Sequence, residues 1–574
     1  MEEFSAEERE ALSRFCSNTD KPIFALKNLP EVIKGALFSR YSRSTKSLRR
    51  LLLDDFLYSK DSGLQELAGG PEGPDLSSAA AKAGEFYNRV LDGFGDDSVG
   101  ELGGAHLAIE DISIVATKII EDGRIGGSPL EKSTRYVYFD QKDGSGKWKY
   151  CREQAIMASK FADDYEKTLD GLFEAYSGLV PPFSKYVEEA WPIDEFEFAP
   201  DRASVPTPFG KISGEKAIKR AKSAYAAAVR AKVCDELRYL LPAATLTNMG
   251  VFGNGRFWQG LVSKLYSNPL AEAQQIAWAM HGELSCVIGP FVRRAKKDEY
   301  VCARAGRMGM AVCALEEKNE EADGDENGKR ENGGGAGEKR VELVDYDGGA
   351  LEKVVAACIY PYSHEPMKKI MEKAGTMSAE EKKKIIENYA GGRKTSRDRP
   401  GRAFEKAHYE FDVCADYGAY RDLHRHRMLS QERQLLSCRH GYEIPEGLEK
   451  AGGNFIGEYE DAVESVKELF FAIESKMPHE AQYCVPLGYR IRWRMKMNLR
   501  EACHLCELRS GMQGHASYRR IAISMADEIA RVHPQLAAHM VFVDRKEYPL
   551  GRLQAEMKKE NALAGAAKNG LGRT

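Results

Sequence analysis

A chain that carries one ordered set of landmarks twice is most simply folded as two copies of one domain, and this 574-residue sequence does so. The first half has a glutamate in a compact segment, "DDSVGELGG" with Glu101. An arginine-containing stretch, "DGRIGGSPLEKSTRY", follows about twenty residues on and closes on Ser133-x-Arg135. Pro242 then precedes Asn254-x-Arg256 by twelve positions. The second half repeats the order with Glu405 in "RPGRAFEKA", Ser437-x-Arg439 closing "RHRMLSQERQLLSCRH", and Pro486 twelve positions before Asn498-x-Arg500. Such agreement in order and spacing marks a diverged duplication.

The division between the copies falls at "EEKNEEADGDENGKRENGGGAGEKRVE", which holds almost nothing that could be buried and reads as a solvated linker. The expected organisation is therefore an N-terminal domain over 1–312 with a helical insertion at about 155–225, a disordered linker over 313–342, a C-terminal domain over 343–556 and a flexible tail over 557–574. No apolar run approaches the ~20 residues a bilayer needs, so no membrane is expected. The acidic opening "MEEFSAEERE" is unlike a basic leader. The expected location is cytoplasmic. Twelve scattered cysteines fit reduced thiols better than a disulfide framework. The tight pair Cys503 and Cys506 has no second pair at zinc-finger spacing, and no metal is expected.

"YRIRWRMKM" alternates apolar and basic residues, the period of a strand with one buried and one cationic face. "NLREACHLCELRSG" after it reads as a helix with Leu499, Cys503 and Cys506 on one side. "AHLAIEDISIVATKIIEDG" has helix-like apolar spacing and runs toward Ser133-x-Arg135, with "YVYFD" as a strand beyond. The stretch "RDLHRHRMLSQERQLLSCRHGY" packs five arginines and three histidines beside the leucines and methionine of a helical face. With a net charge of only -4 the chain has no global pull toward nucleic acid, so any anion site must be made locally. Arginine keeps its charge in a protein and offers a planar fork of donors that matches phosphate oxygens. A serine hydroxyl two positions away completes a cradle. The bland alternative is a set of solvated helix-surface ion pairs.

"RHRMLS" followed by Ser437-x-Arg439, together with "SPLEKSTRY", resembles the signature R-H-R-x-x-S-x-N-E-x-S-x-R of flavin-dependent thymidylate synthases. "LRYLLP" and "NLREACHLCELR" look like that family's Ala-Arg-x-x-Leu-Pro and Asn-x-Arg…Leu-Arg segments, and "ALFSRYSRS" like its early Ala-Arg-x-Ser. The resemblance implies an α+β fold, here two copies of an antiparallel sheet flanked by helices, and a family homotetramer with FAD and dUMP sites between subunits. It implies methylation of dUMP to dTMP with methylenetetrahydrofolate, NADPH-reduced FAD supplying the hydride. By the same likeness Arg425, His426, Arg427, Ser42, Ser98, Glu101, Glu405, Asn498 and Arg500 would hold FAD. Glu131, Ser133, Arg135, Arg238, Arg425, Ser437, Arg439 and Arg509 would bind dUMP or a similar pyrimidine nucleotide, Arg509 being the catalytic group that polarises the uracil ring.

The departures from the family pattern are complementary. The second half keeps Arg425, His426, Arg427 and Ser430, but its stretch from Ser430 to Ser437 is two residues too long and lacks the glutamate. The first half keeps Glu131, Ser133 and Arg135 but has "EDGR" in place of RHR. Arg238 stands in one half where Gln482 stands in the other, Arg509 has no clear first-half equivalent, and Ser98 faces Arg402. A tandem chain can keep one residue set per half and still assemble a pocket, and two such chains would form a homodimer imitating the tetramer. Two other functions fit part of the pattern: a catalytically altered flavin- or nucleotide-binding paralogue with a regulatory or assembly role, and a nucleic-acid-binding protein using the basic stretches, which the overall acidity disfavours.

Overall fold

The computed structural model describes residues 2–58, 97–199, 205–322 and 339–568. The chain divides into two compact units, Met1–Lys132 with Leu246–Gly328, and Ser133–Thr245 with Lys329–Thr574. Each contains an antiparallel sheet flanked by helices, an α+β architecture. In the first unit the strand order is Gly104–Ser113, Leu246–Asn254, Gly127–Glu131. In the second it is Val341–Tyr346, His408–Asp416, Arg490–Asn498, Leu429–Arg433.

The duplication extends to register and to single side chains. Gly104 lies opposite Asn254 and Ser113 opposite Leu246, as His408 lies opposite Asn498 and Asp416 opposite Arg490. Ser113 and Asp416 end their strands and cap the next helix, accepting from the Ala116 and Ala419 N–H at 3.0 and 2.7 Å. Asn254 and Asn498 cap the following helices in the same way, at 2.8 and 2.9 Å. Arg256 pairs with Glu101 at 2.8 Å and Arg500 with Glu405 at 2.9 Å. A short side-chain cap at a strand-to-helix junction satisfies an orphan N–H at the helix start.

Several expectations are corrected. "AHLAIEDISIVATKII" is a strand, Gly104–Ser113, before it is a helix, Ile114–Glu121. A bulge between Ile109 and Ile112, with Asp111 at φ 54°, breaks the two-residue alternation that would have revealed it. "YVYFD" is not a strand, and Tyr136 instead lies under the Arg552 guanidinium. The helix at "RDLHRHR" ends at Leu423, and Leu429–Arg433 is a strand. The basic face of Arg490–Asn498 is neutralised across the sheet: Arg492 pairs with Asp412, Arg494 with Glu410 and Glu432, and Lys496 with Asp345. Within the supposed linker, helix continues to Ala322 and strand begins at Val341, while 323–338 lie outside the described residues. The described part of the supposed tail belongs to a helix, Leu553–Lys568, that packs on Glu215–Leu237, where Ser223 donates to Glu560 at 3.0 Å, while 569–574 lie outside the described residues.

The insertion at 155–225 belongs to the second unit. Helix Ala162–Ala190 lies along Asn454–Glu474, with Phe183 edge-on to Phe455 at 5.7 Å. Pro242 and Pro486 form a bridge, flanked by Ala243 N–H to Val485 O at 2.8 Å and Leu487 N–H to Leu241 O at 2.9 Å. Ala244 N–H to Tyr483 O and Gly488 N–H to Tyr239 O, both 3.0 Å, complete the set. These bonds are reciprocal under the repeat's own equivalence, so the two excursions meet about a local two-fold axis.

Candidate functional site

That crossing brings the end of helix Glu215–Leu237 and the following turn, with Asp235 and Arg238, against the helix Tyr417–Leu423. Buried Arg238 donates to Asp422 at 3.2 Å. Its guanidinium rests on Gly418, where a Cβ would come within 3.0 Å of Nη2. Nε and Nη2 of Arg238 make no hydrogen bond within the protein. Buried donors without a partner are rare, and such a guanidinium is suited to an anion.

Arg135 grips Asp235 through two bonds of 2.6 and 2.7 Å and donates to the Tyr518 hydroxyl at 2.9 Å. Arg421 donates to Thr134, the middle residue of Ser133-x-Arg135, at 3.2 Å. The Tyr518 ring also has Arg135 and Arg509 within 5.4 and 5.7 Å of its centroid. Burial alone would push the Asp422 carboxyl up. Arg238, Arg135, Arg425 and Arg509 outweigh it and hold that carboxyl far below the usual range. Burial likewise opposes ionisation of Asp235, yet Arg135 brings it to about 2. For Arg509 burial wins, and its pKa falls below the ordinary guanidinium value. The result is a cationic cluster made from both repeats and wholly contained in the second unit.

Behind it, His515 donates from Nε2 to the Asp235 carbonyl at 3.0 Å and accepts the Ser517 N–H on Nδ1 at 3.1 Å. Both ring nitrogens of the neutral imidazole are thus used, and burial with Arg238 nearby lowers its pKa to about 3. A cleft of about 300 Å³ adjoins, sharing Asp235 and His515 but lined mainly by paired groups such as Lys232 with Glu236 and Arg520 with Glu446. It holds none of the cluster's arginines.

The other expected residues fall as follows. His426 is buried, with Nδ1 2.6 Å from Glu501 and Nε2 accepting from Arg509 Nε at 2.9 Å. Arg425 and Arg427 flank it on an exposed turn. Arg439 is not in the cluster: half exposed, it pairs with Glu474 and lies over Phe471. Ser437 only accepts the Arg439 N–H at 3.0 Å, as Ser133 does that of Arg135 at 3.2 Å. Gln482, at the place of Arg238, accepts from Arg433 at 3.1 Å. Register resolves the extra residues: Glu131 opposes Met249 and Arg433 opposes Trp493, so Arg433 replaces the glutamate and the added length follows it.

In the first unit Glu131 is buried, paired with Lys118 at 2.9 Å and accepting from the Thr117 hydroxyl at 3.1 Å. Ser42 donates to the Ser39 carbonyl. The side chain of Ser98 lies outside the described residues. Asp235, Asp422, Tyr518, His515 and Glu501 were missed by sequence reasoning. Asp235 and Asp422 carried a signal, since each stands three residues before an arginine of the cluster, Arg238 and Arg425.

Fold and cluster together define a tandemly duplicated α+β protein with an anion-suited centre built from both repeats. The family model of the thymidylate synthase complementing protein matches twice, over residues 55–288 and 342–535. The chain belongs to that family, the flavin-dependent thymidylate synthases, as a tandem duplication. It is 44% identical over 567 residues to a UPF0159 protein of Chlamydia muridarum, covering 97% of this chain and 99% of that one. It is 34% identical over 541 residues to a UPF0159 protein of Thermoplasma acidophilum, covering 93% and 99%.

Proposed function

We propose that the chain is an FAD-dependent thymidylate synthase that methylates dUMP with methylenetetrahydrofolate and NADPH at one composite site in the second unit. The observation that carries this is buried Arg238, with two open donors, beside Asp422, the carboxylate on which Arg135, Arg425 and Arg509 also bear. Arg238 and Arg135 would bind the nucleotide phosphate with Ser133. Arg509, which stays charged although burial lowers its pKa, would donate to a uracil carbonyl oxygen and stabilise negative charge developing on the ring.

The donor set also fits a flavin diphosphate: Arg425 and Arg427 are exposed guanidiniums on one turn, with buried His426 between them. When bound, FAD supplies the hydride that completes the methyl group. In this account Glu405, Asn498 and Arg500 of the second unit also contribute to the flavin site, and the protein is a cytoplasmic homodimer. One observation favours a second function, that of a nucleotide-binding paralogue with altered catalysis: Arg433 stands where the family glutamate should be.

The test is to purify the protein, record its flavin spectrum and assay dTMP formation. A yellow protein that forms dTMP supports the first function. A yellow protein that binds dUMP without methylating it supports the second.

A further inference from the structure

The cluster contains a chain of hydrogen bonds that the proposed roles do not use. Arg509 Nε can only donate, so His426 Nε2, 2.9 Å away, must carry a lone pair. The ring proton is therefore on Nδ1 and is given to Glu501 at 2.6 Å. Glu501 is itself held at the helix start, its N–H capped by Asn498 at 2.9 Å. Both Glu501 and His426 are buried. A guanidinium has several donors on a long flexible stem, and fixing Nε against a rigid ring leaves its terminal nitrogens to point one way.

We propose that Glu501 is a positioning residue that orients Arg509 through the tautomer of His426, an inference that rests on the role given to Arg509 above. His504 lies near the same two groups, its ring 5.3 Å from that of His426, and the three side chains have metal-ligand spacing. Arg509 already occupies one imidazole nitrogen, however, and Arg399 and Arg509 both bear on the two histidines. A dication would have to sit among guanidiniums, so the relay is the better use of this geometry.

The groups that face His426 are Glu501, His504 and Arg509 from one helix and Arg399 from the loop after helix Ala379–Ala390. Burial holds the His426 pKa below its ordinary value. Glu501 raises it, and Arg509 lowers it. Protonation of Nε2 at acid pH would set one N–H against another and release Arg509. Removing the Glu501 charge lowers the His426 pKa further, so the acid limb of activity must move to lower pH. A merely structural role for Glu501 would lower stability without moving that limb.

The experiment compares wild type, Glu501→Gln and Glu501→Ala as full-length protein with and without dUMP. In histidine-labelled wild type, the nitrogen resonances of His426 should report a neutral ring protonated at Nδ1. Glu501→Ala should lose about 10- to 100-fold in kcat at saturating dUMP, with KM little changed, because an interaction made mainly in the transition state has been loosened. Glu501→Gln keeps an acceptor and should recover most of that loss, and in both variants the acid limb should shift downward. A proton on Nε2, an unmoved acid limb, or Glu501→Gln as damaging as Glu501→Ala would overturn the proposal. If wild type forms no dTMP, the assigned reaction fails, and the His426 resonances still decide whether the relay exists.

Discussion

Pro242 and Pro486 occupy the same place in the two repeats, and they meet each other in one antiparallel bridge. The chain thereby makes internally, about a local two-fold axis, a contact between two copies of one segment. Gly488 sits at this crossing, and a Cβ there would come 2.6 Å from the Tyr459 hydroxyl and 3.0 Å from Tyr239 Cβ. Gly488→Ala should therefore cost about 1–3 kcal/mol. Gly178→Ala, in a helix interior with open space around the new methyl group, should be neutral or stabilise by about 0.5–1 kcal/mol. Urea unfolding of both variants checks the contrast.

The Arg135–Asp235 pair is buried and bidentate. Asp235→Ala leaves Arg135 uncompensated and should destabilise by about 3–5 kcal/mol, whereas replacing both by apolar residues of similar size should cost much less. A double-mutant cycle on the unfolding free energy measures the difference.

Acid should unfold the second unit early because of His515. Its folded pKa of about 3 lies below the ordinary 6.5, so its stabilising contribution is complete above about 6.5 and is lost as pH falls toward 3. Each pH unit in that window is worth about 1.4 kcal/mol at most. His515→Gln should flatten the dependence of the urea midpoint on pH between 7 and 5. An unchanged slope would show that His515 is not held neutral.

Arg425 and Arg427 are exposed, so removing them should not unfold the protein. Losing two charged hydrogen bonds, each worth about 1.5–3 kcal/mol, should weaken FAD binding by about two orders of magnitude or more. Flavin content after gel filtration of the Arg425→Ala/Arg427→Ala variant reads this directly.

The duplication was legible because its landmarks keep their order and spacing: Asn254 and Asn498 each cap a helix by accepting an N–H three residues on, and Glu101 with Arg256 repeats as Glu405 with Arg500. The strand Gly104–Ser113 was not, because the bulge at Asp111 disrupts its period and the apolar run continues unbroken into the next helix. Arg135, Arg238 and Arg509 could be named from family likeness. Their partner Tyr518 could not, since a tyrosine on a helix shows no pairing until a segment 383 positions away is folded against it. Arg439 shows the converse: the Ser-x-Arg motif survives in the second repeat while its guanidinium turns to Glu474 at the surface.

The central claim is that the two repeats share a single nucleotide site, and it is tested most directly by the stoichiometry of dUMP binding in calorimetry of the flavin-loaded protein. One dUMP per chain is expected, with Arg238→Gln, which copies the residue at Gln482, weakening it at least about 10-fold and Arg439→Ala leaving it nearly unchanged. Two dUMP molecules per chain, or equal damage from Arg439→Ala, would contradict it.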